Sequence, residues 1–305
     1  LWGRGFFARG RFVTLLVAVV AMGSMGAPAH AQDAVDVQAF DVSPFQQDLF
    51  VTGKGWTREQ WQWNLGLYLD YQKDPLVIKS LAGDEVRTII GNQVTGNLLG
   101  AIALTDWLDV GLGLPVVLFQ DGEGFPGGDS PGVAGIGDLR IVPRVQLFAT
   151  EDRFFSVAFT PAFTAPTGQL VDPYMGNQSF TMTPWVNFGL DWKRFGAALD
   201  LGYLLTKNGS VGDLALQDEL QFRAGVWATV WPDKLDLIAE AIGATAASEP
   251  FANSNQSPLE LLFGGKIHVA PNVDVGVGTG FGMSEGYSSP DFRVFAGVMW
   301  HTNPA

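Results

Sequence analysis

Residues 136–163 read IGDLRIVPRVQLFATEDRFFSVAFTPAF, and their alternation decides the fold class. From Leu139 to Leu147 the odd positions are Leu139, Ile141, Pro143, Val145 and Leu147, while the even ones are Arg140, Val142, Arg144 and Gln146. That near-complete period of two is a strand with one apolar face. After the polar break Thr150-Glu151-Asp152-Arg153 it resumes, with Phe155, Val157, Phe159, Pro161 and Phe163 on one face and Ser156, Ala158, Thr160 and Ala162 on the other. The two halves predict a hairpin on a tight turn. A soluble sandwich also uses hairpins, but strands of about ten residues exceed the usual five or six of globular sheets. Tilted, they are long enough to cross a bilayer.

The same pattern runs outward in both directions. It starts at Trp61, continues through strands centred on residues 94–104 and 108–118, and resumes in residues 180–190, 195–205, 220–230, 235–243, 259–269, 273–283 and 292–300. With the central pair this makes about twelve strands, an even number as in bacterial single-chain barrels. Connections alternate in length: short at 105–107, 150–153, 191–194, 231–234 and 270–272, long at 72–93, 120–135, 167–179, 206–216, 246–258 and 284–291. Short turns mark a periplasmic rim and long loops a cell surface. Trp61, Trp107, Trp192, Trp231 and Trp300 all fall at the short side, where an interfacial aromatic girdle is expected. The reading is an all-β, transmembrane, antiparallel up-and-down β-barrel of about twelve strands with both termini periplasmic.

Composition agrees. The chain has 305 residues, a formal charge of −13, no cysteine and 38 glycines. Residues 1–31 read as a signal peptide: Arg4, Arg9 and Arg11, an apolar run from Phe12 to Met22, and an Ala29-His30-Ala31 cleavage site. Its removal leaves fifteen basic against thirty-one acidic residues, which argues against nucleic acid as a partner. Residues 32–60 are polar and irregular and read either as a periplasmic tail or as a segment inside the lumen; residues 61–305 form the barrel. The expected location is the bacterial outer membrane. Its lipid and lipopolysaccharide, the barrel-assembly machinery and a small solute are the expected partners.

With the apolar face towards lipid, the other face lines the lumen. It places Arg140 and Arg144 on the fourth strand, Asp200 on the seventh, Glu219 and Arg223 on the eighth, Glu240 on the ninth, Glu260 and Lys266 on the tenth and Arg293 on the last. These are the candidates for a charged constriction, or alternatively for a closed interior network. Gly276, Gly278, Gly280 and Gly282 occupy successive lumen positions, leaving space for a plug or a solute, or curving the strand. No catalytic, cofactor or metal site is expected. After cleavage only His268 and His301 remain as histidines, and both read as lumen or interface residues. The Gly122–Gly127 match to a nucleotide-binding glycine pattern contains Pro126 and reads as a surface loop.

Short motifs add a resemblance. Leu114-Pro115-Val116 to Gln120-Asp121-Gly122, Gly135-Ile136-Gly137-Asp138-Leu139-Arg140, Ala165-Pro166-Thr167-Gly168 and Val186-Asn187-Phe188-Gly189 resemble the outer-membrane barrel family named for the MetA pathway of phenol degradation. Within it they are most similar to the amino-terminal barrels of OmpA-family proteins of myxobacteria and other deltaproteobacteria. The resemblance implies an outer-membrane barrel, a narrow channel or transporter for small solutes, hydrophobic or aromatic ones among them, and no catalytic residues. The alternative it implies is a structural OmpA-like barrel whose peptidoglycan-binding part is absent from this chain.

Overall fold

Twelve strands pair in sequence order: β1 (Trp63–Lys79), β2 (Glu85–Thr105), β3 (Leu108–Asp121), β4 (Leu139–Ala149), β5 (Phe155–Ala165), β6 (Thr181–Asp191), β7 (Phe195–Leu204), β8 (Glu219–Trp231), β9 (Leu235–Ala246), β10 (Leu259–Ala270), β11 (Val273–Gly282) and β12 (Phe292–His301). Every pairing is antiparallel, and β1 closes the ring on β12 with Asn64 opposite His301 and Lys73 opposite Phe292. Closure leaves no edge strand, the condition for a sheet in lipid. The computed structural model describes residues 40–79, 85–124, 130–168, 174–177, 179–207, 209–211, 214–284 and 287–302; the signal reading of residues 1–31 lies outside them.

The two faces separate as the period of two requires. Leu65, Leu67, Leu69, Leu112, Leu199, Leu201, Leu237 and Phe263 point outward and are exposed, whereas Asn64, Tyr68, Asp70, Asp109, Arg144, Asp200, Glu240 and Arg293 are buried inside. An apolar belt around the whole outer wall is far more than a water-facing surface carries. It has the composition of a lipid-facing wall. Trp61, Trp107, Trp192, Trp231 and Trp300 are all exposed at the short-turn rim. In the tight turns Arg153, Lys193 and Asp233 take left-handed backbone conformations (φ 57°, 70° and 57°), the local cost of reversing the chain in so few residues.

One connection differs from the expectation. Residues 72–93 are not a long loop: β1 runs to Lys79 and β2 starts at Glu85, so most of that stretch is paired hairpin. Gln72-Lys73-Asp74-Pro75 breaks the apolar alternation, but a ladder needs only backbone donors and acceptors. It continues past irregularities between Lys73 and Val77. Leu76, Ile89 and Ile90 of this extension bury against Tyr174.

The candidate functional site in the barrel lumen

A barrel of twelve strands is wider than one of eight, whose side chains fill its interior, so the space inside must hold water or protein. Here residues 40–58, none of them in a strand, run through it. Phe40, Val42, Leu49, Phe50 and Val51 are buried in one cluster with the inward Tyr68, Leu99, Trp227, Ile238, Ile242, Leu262, Phe295 and Met299. Phe50 meets the Phe295 ring edge-on at 4.8 Å, and Phe40 meets it at 4.7 Å.

The polar contacts are directed largely at main chain. Glu240 on β9 accepts three successive amides, from Phe50 (3.0 Å), Val51 (3.1 Å) and Thr52 (2.7 Å), and Asp200 on β7 accepts the next, from Gly53 (2.8 Å). On β10 the Lys266 ammonium donates to the carbonyls of Gln46 and Asp48. Ser156 donates to Lys54 O (2.7 Å), and Asn64 donates to Pro44 O (2.8 Å). Arg140 donates to Val42 O (3.1 Å) and pairs with Asp41 (2.9 Å); Arg223 reaches the same carboxylate at 3.5 Å. Each of these buried groups needs a partner, and the segment supplies it.

Arg144 makes a two-pronged pair with Asp48 at 2.9 and 2.5 Å in which both side chains are almost fully buried. Asp48 also accepts from Ser43 Oγ (2.6 Å) and Lys54 N (3.0 Å), so it organises its own loop as well. Arg144 is therefore engaged with the segment rather than facing an open pore.

Of the nine sequence candidates, Arg140, Arg144, Asp200, Arg223, Glu240 and Lys266 converge on this segment. Arg293 pairs with both Glu260 (2.8 Å) and Asp70 of β1 (2.7 Å), above which Gln72, Gln93 and Gln120 form a hydrogen-bonded row. Glu219 is bonded by Tyr287 and Gln221. Sequence reasoning did not single out Asp109, which accepts from Gln47 (3.2 Å), nor Asp274, which accepts from Gln46 (2.6 Å) and from His268 Nδ1 (2.6 Å) and faces His301 at 3.4 Å. Their inward register carried the only available signal. At the long-loop end Asp138 accepts the amides of Gly168 (2.8 Å) and Asn177 (2.6 Å), and burial pushes its carboxyl above the ordinary range.

The glycines make room. A Cβ on Gly276 would lie 2.4 Å from Tyr68 Oη and 3.1 Å from Phe50 Cε1, and one on Gly189 of β6 would lie 1.9 Å from Lys54 O. Among the described residues no group of three or more acidic, histidine or cysteine side chains is placed to hold a metal ion.

No family model matches the chain, and no curated protein does. Among solved structures it is similar to the COG4313 outer membrane channel from Pseudomonas putida F1, at 12% identity and a TM-score of 0.64, covering 82% of this chain and 98% of that one. It is similar also to the NanC porin, at 7% identity and a TM-score of 0.54, covering 77% and 98%. The likeness is one of fold. It adds no support for a kinship with OmpA-family proteins.

Proposed function

We propose that this protein is an outer-membrane channel for small solutes, closed in the state described here by residues 40–58. The observation that carries the reading is that six charged residues on five strands, Arg140, Arg144, Asp200, Arg223, Glu240 and Lys266, grip a segment outside the sheet rather than one another. A barrel meant only as an anchor needs no removable occupant. If the segment shifts, the inward Leu99, Ile238, Ile242, Phe295 and Met299 that now meet Phe40 and Phe50 face the passing solute, which supports an apolar or aromatic one. The exposed outer belt and the five rim tryptophans support residence in a lipid bilayer, with the short turns periplasmic, delivery by a signal peptide and insertion by the barrel-assembly machinery.

The competing reading is a structural barrel, favoured by the buried Arg144–Asp48 and Arg293–Glu260 pairs that tie the lumen together. Planar-bilayer conductance separates them. The full-length protein is expected to conduct weakly and the chain lacking residues 32–60 several-fold more, with heat-modifiable gel mobility confirming that both are folded. Silence from both folded proteins leaves the structural reading.

A further inference from the structure

Below the segment, at the short-turn rim, lies a basin of about 1030 Å³ whose lining includes Arg58, Arg153, Lys193, Arg194, Lys234 and Trp56. In a chain of net charge −13 this is a concentration of cations that the overall balance does not predict. Arg153, Lys193, Arg194 and Lys234 come from three different tight turns, and none of the four makes a salt bridge among the described residues. Arg153 and Lys193 occupy left-handed turn positions, which hold their backbones at the rim, and the Arg153 guanidinium stacks 4.6 Å from the centre of the Trp56 ring.

The acids of the same lining are mostly engaged. Asp274 is held by His268, His301 and Gln46, and Asp236 by His268 (3.2 Å) and Thr229 (2.6 Å), which leaves Glu59 and Asp233 against the four turn cations. A second observation points the same way. Arg58 is 5% exposed and lines the basin; its Nη1 donates to Asn64 Oδ1 (2.6 Å), but Nε lies 3.8 Å from Asp109 Oδ2, and neither Nε nor Nη2 has a hydrogen-bond partner. A buried guanidinium whose Nε and Nη2 make no hydrogen bond, and whose nearest carboxylate stands off at 3.8 Å, keeps donors to offer to a second carboxylate.

We propose that this basin is a binding site for small organic carboxylates at the short-turn mouth of the lumen. The turn cations raise the local concentration of the anion, and Arg58 receives its carboxylate. The site goes beyond the channel reading and does not require conduction.

Isothermal titration of the full-length protein in neutral detergent, using succinate and its uncharged analogue succinamide, tests it. Succinate is expected to bind and succinamide not. The variant R153Q/K193Q/R194Q/K234Q, altered only at exposed turn positions, is expected to weaken succinate at least tenfold, and Arg58→Gln to do the same if it folds. Equal binding of succinamide, or an unchanged affinity in the four-fold variant, overturns the proposal. In nanodiscs of phosphatidylcholine the binding is expected to persist. If anionic phosphatidylglycerol nanodiscs abolish it, the cations serve lipid headgroups and the proposal falls.

Discussion

Asp48 and Arg144 face each other through two parallel hydrogen bonds, 2.9 and 2.5 Å, in the middle of a barrel whose wall supplies one partner and whose enclosed segment supplies the other. Neither side chain meets solvent, so neither charge has an alternative. Removing one partner strands the other in a poorly solvated interior, which costs about 3–5 kcal/mol. Asp48→Ala and Arg144→Ala are each expected to lower stability in lipid by that order and to raise single-channel conductance. The double variant is expected to cost clearly less than the sum of the two, read from urea unfolding in liposomes.

The wall itself offers a cleaner test of face assignment. Leu112 and Val157 point outward and Ser156 inward, with Ser156 bonded to Lys54 O. Arginine at Leu112 or Val157 is expected to destabilise the protein by about 2–4 kcal/mol if the site lies near mid-bilayer. Ser156→Arg is expected to act differently, pushing residue 54 away and raising conductance. Equal stability losses without any change of conductance would mean the two faces are misassigned.

Gly189 permits the segment to pass within contact distance of β6, since any Cβ there would overlap the carbonyl of Lys54. Gly189→Val keeps the strand, because valine favours extended backbone, but displaces the segment. The expected result is a folded barrel with increased conductance and faster proteolysis of residues 40–58. A conductance equal to that of the parent would show that the segment is not what limits passage.

Orientation is tested from outside the cell. Single cysteines at Ala252, in an exposed long loop, and at Asp233, in an exposed short turn, are expected to react in intact cells at the first position only. Labelling of Asp233→Cys instead would invert the topology.

The barrel was legible in the sequence because one physical constraint repeats along it: every second residue meets either lipid or lumen, and the strands from Trp63 to His301 obey it. The extension of β1 and β2 was not legible. At Gln72 to Pro75 the constraint lapses while the ladder persists, and side-chain periodicity reports only the former. The lumen charges could be placed by register, but their partners could not. Gln46 bonds to Asp274 across 228 positions and Glu240 bonds to Val51 across 189, distances over which no local pattern survives. Residues 40–58 obey no period at all, because they are read by surrounding walls on all sides instead of by two faces.

That separation along the chain also orders events during biogenesis. The segment precedes β1 immediately, yet its polar partners are distributed from Asn64 and Asp109 through Arg144, Ser156, Asp200 and Glu240 to Lys266 and Asp274. No single hairpin offers all of them. The full set of polar contacts therefore requires strands from β1 through β11 to be assembled around the segment. A slip of register in any of these strands would turn its inward partner outward, so the segment's contacts depend on the register of nearly the whole wall.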